Sequence, residues 1–152
     1  MLDYPMPIAT RCGTAHVRRL LDVLLAELSA ELAVPRGVLS GSVGDVASPV
    51  SAGLYAELLG TPATCRVILH VDNKATDDDG YFAAYPALAV AAVRLSDAVD
   101  AEACLTYELD RVVMRRRGGR LELFDWFRPW GDPAVLERVP RPFVVTPQDG
   151  RL

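Results

Sequence analysis

Residues able to do acid–base chemistry are few in this chain. The run 64–72, TCRVILHVD, alternates strictly, so Arg66, His70 and Asp72 share one face of a strand while Cys65, Val67, Leu69 and Val71 share the other. An imidazole between a carboxylate and a guanidinium could move a proton, and an enzyme built on His70 and Asp72 is one reading. His16 falls on a helix with no matching partner, and no second polar cluster converges on His70. A polar outer strand face is therefore the preferred reading, and no catalytic residue is expected.

Metal and cofactor chemistry fare no better. The acidic run 76–80, TDDDG, invites comparison with a calcium loop, but its first and last ligand positions would be Ala75 and Pro86. Capping the N-terminus of a following helix is the better use for those carboxylates. Three cysteines and two histidines do not make a two-pair zinc motif, and no phosphate-loop, dinucleotide or nucleophile-elbow pattern occurs. No metal and no cofactor is expected.

Two stretches could recognise a partner. In residues 112–123, VVMRRRGGRLEL, Gly118-Gly119 has the chemistry of a two-residue hairpin turn. The register then opposes Arg117 with Arg120, Arg116 with Leu121, Arg115 with Glu122 and Met114 with Leu123. One face carries Arg115, Arg117, Arg120 and Glu122, and the other an apolar strip of Met114, Leu121 and Leu123. The like-charged pair at the tip needs water. A Gly-Gly that leads into a strand also lacks the helix N-terminus with which phosphate loops hold anions. In residues 125–133, DWFRPWGDP, Trp126, Phe127 and Trp130 crowd around Arg128, and such residues are enriched at interaction hot spots. The alternative is that this corner covers the end of the core.

The elements that would position these residues are readable. Val17, Leu20, Leu21, Leu24, Leu28 and Leu32 recur at helical spacing, predicting an amphipathic helix with Thr14 as N-cap and an end at residues 35–37. Residues 37–53 suggest one or two short strands, and 52–59 a short helix. An Ala-rich helix follows Asp77-Asp78-Asp79 to about Ala98, with Pro86 inside it and Phe82, Tyr85, Ala89 and Val93 on its buried face. Runs at 103–109, 112–117 and 120–126 form an antiparallel meander. A short helix follows Asp132-Pro133, and a last strand covers 143–145. Pro5 and Pro7 make residues 2–10 an edge strand, or one whose proline positions face outward. The expected fold is a single α+β domain over residues 1–152, mainly antiparallel sheet with two main helices packed on one face.

Twenty acidic against 16 basic residues give a net charge of −4, which disfavours nucleic-acid binding. No apolar run reaches the ~20 residues of a membrane span, and the opening residues lack a signal-peptide pattern, so the cytoplasm is the expected location. Cys12, Cys65 and Cys104 are read as free thiols.

A short strand ending Ile8-Ala9-Thr10, a leucine-rich helix, a Gly/Ser strand region, RVILHVDNK before an acidic helix start, and RRRGGRLEL followed by Trp together resemble the Sit-type immunity proteins. These are bacterial inhibitors paired with lipoprotein toxins exchanged by contact. The resemblance spans roughly residues 3–140. It implies stoichiometric, non-enzymatic binding of a cognate toxin and assigns no functional residue. On that reading Trp126, Phe127, Arg128 and Trp130 are the candidate anchors, with Arg115, Arg117 and Arg120 as a charged rim. Replacing Arg128 and Trp130 together should then weaken binding without altering the thermal midpoint. A secretion-chaperone-like protein binding an effector is the alternative within the same class.

Overall fold

The computed structural model describes residues 2–74 and 76–147. The chain runs β1 (Leu2–Ala9), α1 (Thr14–Glu31), β2 (Leu39–Gly44), α2 (Pro49–Leu59), β3 (Cys65–Val71), α3 (Asp78–Ala98), β4 (Glu102–Tyr107), β5 (Arg111–Arg117), β6 (Arg120–Phe124), a 3-10 turn (Arg128–Gly131), α4 (Pro133–Leu136) and β7 (Val144–Thr146). The strands form one sheet in the order β2-β3-β1-β4-β5-β6-β7, antiparallel throughout except for the β6–β7 pair. The α+β class and the pair of main helices on one face are as the sequence predicts, with α1 and α3 packed over the main core. A third helix, α2, covers the opposite face. Cys104 alternates with Ala103 and Leu105 along β4, and it joins Tyr55, Leu58 and Leu59 of α2 in a separate cluster with Val112 and Phe124.

Local chemistry explains where elements stop. Helix α1 ends at Glu31, earlier than its following Pro and Gly suggest. Ala33 turns left-handed at φ 56° and the Val34 amide closes on the Ser29 carbonyl, a Schellman-type stop. Its N-cap is Gly13 without a side-chain cap, rather than Thr14. Helix α2 starts earlier than expected, because Ser48 accepts from the Ser51 amide and Pro49 fills the first turn, and Gly60 closes it at φ 74°. Asp77 caps α3 through the Gly80 amide, as the acidic run predicts.

Of the two expectations for β1, an edge strand or proline positions facing outward, the edge is corrected: the strand lies between β3 and β4. The carbonyl of Ile8 accepts from Thr64 on the β3 side, so the amides of even-numbered residues face β3. Pro5 and Pro7 therefore place their missing donors toward β4, where strand pairing is limited to Ile8 and Ala9. The Thr106 hydroxyl compensates by donating to the Pro5 carbonyl at 2.9 Å. Helix α3 is buried on nearly every side from Ala87 to Val93, which accounts for its alanines: bulkier residues would not fit between sheet, α1 and the corner after β6. Phe82, expected on the buried face, is instead 63% exposed near the helix start.

Candidate functional site

Strand β5 carries one residue more than β4 opposite it. Leu105 pairs with Met114 and Thr106 with Val112, leaving Val113 as a bulge. Both indoles of the corner after β6 come back to this irregularity. Trp126 Nε1 donates to the Val112 carbonyl at 2.5 Å, and Trp130 Nε1 donates to the Val113 carbonyl at 2.9 Å. Trp130 is 1% exposed and Phe127 5%. Trp130 as a partner-binding anchor is therefore corrected. Its ring is core, and a buried carbonyl holds it there. Trp126 is half-buried under the Arg111 guanidinium, which stacks 3.9 Å from its ring centre.

Above this rigid corner lies an apolar groove of about 580 Å³. Its position follows from topology. Antiparallel pairing brings the start of β1 beside the end of β4, and α3 begins over the same end of the sheet. Leu2 and Tyr4, Tyr81, Phe82, Tyr85 and Pro86, Tyr107, and the corner residues Trp126, Phe127 and Arg128 thus converge on one cavity. Its rings brace one another: Tyr4 lies 5.2 Å from Tyr107 and 6.3 Å from Tyr85, and Tyr81 lies 5.1 Å from Tyr85, with whose hydroxyl its own is hydrogen-bonded. Burial pushes the Tyr4 and Tyr85 phenols well above their ordinary range, with neighbouring phenols adding to the effect, so both stay neutral at physiological pH. A volume of this size falls within the ~300–1,000 Å³ of sites that enclose small ligands or clusters of side chains.

Of the residues singled out in the sequence, Trp126, Phe127 and Arg128 line the groove, and Trp130 lies beneath it. The four tyrosines and Phe82 escaped sequence reasoning. The four-residue spacing of Tyr81 and Tyr85 on α3 is a local signal, but only the sheet order places them against Tyr4 and Tyr107.

The arginines of β5 are engaged structurally. The hairpin register is as the sequence predicts, with Gly118 and Gly119 at φ 61° and 76°. Arg115 Nη2 meets Glu122 Oε1 at 3.1 Å, and the Thr146 hydroxyl of the neighbouring β7 donates to Glu122 Oε2. Arg116, on the core face, donates to the Ser96 carbonyl at 2.6 Å near the carboxylates of Asp97 and Asp100. Arg117, on the opposite face, reaches the Glu57 carbonyl at 3.5 Å. Neither α3 nor α2 has a basic residue in its last turn, so neighbouring arginines of one strand serve the C-terminal ends of two helices on opposite faces of the sheet. Arg115 is thus paired as its cross-strand register predicts, and Arg117 stays exposed with one long contact. Arg120 is exposed at the hairpin tip, and none of these three arginines lines the groove.

The polar trio of β3 is divided among separate tasks. His70 Nδ1 lies 2.6 Å from Asp3 Oδ1 on the adjacent strand, while Asp72 accepts from the Lys74 amide in the following turn. Among the described residues, no group of three or more His, Cys, Asp or Glu side chains is placed to hold a metal ion. Among the described residues, no helix is long and apolar enough to cross a membrane.

Fold and site together define an α+β protein with an aromatic groove at one end of its sheet. The chain matches no protein-family model, and no curated protein or solved structure is significantly similar to it.

Proposed function

We propose that this chain is a non-enzymatic binding protein of the immunity type, acting in the bacterial cytoplasm by occluding a cognate toxin, with the aromatic groove at the centre of the contact surface. The observation that carries the reading is the convergence of Trp126, Phe127 and Arg128 with Tyr4, Tyr81, Phe82, Tyr85 and Tyr107 on one open cavity. Aromatic rings and arginine in a well-packed concave surface are the residue types that dominate protein–protein binding energy. Phe82 adds support: a phenylalanine 63% exposed beside other exposed or half-buried rings is an apolar surface of the kind that marks interaction sites. The ordering of the groove favours recognition as well, because its rings stack on one another and on a corner fixed by two indole hydrogen bonds. Little side-chain freedom remains to be lost on association.

The test is to express the reading frame immediately upstream of this gene with and without the present protein. The expected result is arrested growth when the neighbour is expressed alone, rescue by this protein, and a stoichiometric complex of the two on purification. A harmless neighbour that forms no complex would overturn the toxin assignment.

A further inference from the structure

The charges that flank the groove point to what enters it. Arg128 and Asp132 are the charged residues in its lining. The Asp132 carboxylate is engaged as the cap of α4, accepting from the Ala134 amide at 2.9 Å. Arg128 forms no hydrogen bond or ion pair among the described residues, and it projects from a 3-10 turn held between buried Phe127 and Trp130. Arg111 is already stacked on Trp126. The groove thus has an apolar floor and, on the corner after β6, an unengaged cation beside a carboxylate already engaged as a helix cap.

From these features, and resting on the binding-protein reading above, we infer that the groove takes a polypeptide segment of the partner that combines a bulky apolar side chain with a neighbouring carboxylate. The apolar side chain lies among Tyr81, Phe82, Tyr85 and Tyr107, and the carboxylate pairs with the Arg128 guanidinium. Arginine meets a carboxylate with two parallel N–H donors, and partial desolvation beside the rings strengthens that pairing relative to one in open water. A lysine-bearing segment in the same orientation would bring two cations together.

The experiment uses the full chain and two blocked peptides, acetyl-Gly-Phe-Glu-Leu-Gly-amide and its Lys-for-Glu counterpart, titrated at low salt and followed by NMR. The expected result is selective perturbation of Tyr81, Tyr85, Tyr107 and Trp126, with about tenfold preference for the acidic peptide. Arg128→Glu should reverse that preference while leaving the spectrum of the core unchanged. Equal binding of both peptides, preference for the basic one, or perturbation of another surface would overturn the inference. A chain that binds the neighbour-encoded toxin but neither peptide also overturns it and leaves the binding-protein reading standing; one that binds the acidic peptide but no toxin does the opposite.

Discussion

The indole of Trp130 donates to the carbonyl of Val113 at 2.9 Å, across the bulge in β5, and the ring is 1% exposed. This contact ties the corner after β6 to the middle of the sheet. Trp130→Phe leaves the Val113 carbonyl buried without a donor and a gap beside Phe127, so it should cost about 2–4 kcal/mol of folding stability. Urea unfolding of the variant measures it. A loss below 1 kcal/mol would show that the hydrogen bond and the fit of the ring contribute little.

The arginines of β5 should differ sharply from Arg120. Arg116→Ala removes donors from the Ser96 carbonyl at the end of α3 and should destabilise by about 1–2 kcal/mol. Arg117→Ala removes a longer, more exposed contact to Glu57 and should cost less than about 1 kcal/mol. Arg120→Ala should stay within about 0.5 kcal/mol of wild type. Thermal unfolding of the three variants gives the ranking, and equal effects at all three positions would contradict the assignment.

Glu122 should make stability depend on acidity. Burial alone would raise its pKa, but the hydrogen bond and charge of Arg115, the Thr146 hydroxyl and Arg120 outweigh that and hold it below the usual value of 4.5. Because the folded state lowers this pKa, its contribution is present above about pH 4.5 and is lost as pH falls through the folded value. Glu122→Gln should therefore flatten the acid side of the stability profile and leave the slope above pH 6 untouched. Unfolding midpoints between pH 3 and 7 provide the comparison.

Thiol reactivity should divide the cysteines. Burial pushes the Cys104 thiol up to about 12 and raises that of Cys65, whereas Cys12 is only half-buried. A disulfide-exchange reagent should modify one thiol rapidly in the native protein and all three after denaturation. Rapid native labelling of Cys104 would mean that the cluster under α2 opens readily.

Local patterns carried most of the fold. The alternation of residues 65–71 survives as perfectly alternating burial, and the Gly-Gly turn fixed the hairpin register residue by residue. The failures share a cause in long-range packing. Pro5 and Pro7 argued for an edge strand or for proline positions turned outward, yet β1 is interior: their missing amides face β4, where strand pairing is limited to Ile8 and Ala9, and Thr106, a hundred residues away, donates to the Pro5 carbonyl. Trp130 and Arg128 both read as anchors in the sequence, yet Trp130 turns inward onto Phe127 and the Val113 carbonyl while Arg128 stays exposed. The groove was the least legible feature, since its tyrosines come from β1, α3 and β4 and meet only through strand order.

If a partner is held in the aromatic groove, Phe82 should matter most to binding, being exposed and outside the core clusters. Calorimetric titration of the neighbour-encoded toxin into wild type, Phe82→Glu and Arg120→Glu is the direct measurement. The expected result is at least tenfold weaker binding for Phe82→Glu at an unchanged unfolding temperature, with Arg120→Glu close to wild type. Wild-type affinity in a folded Phe82→Glu protein would contradict the claim.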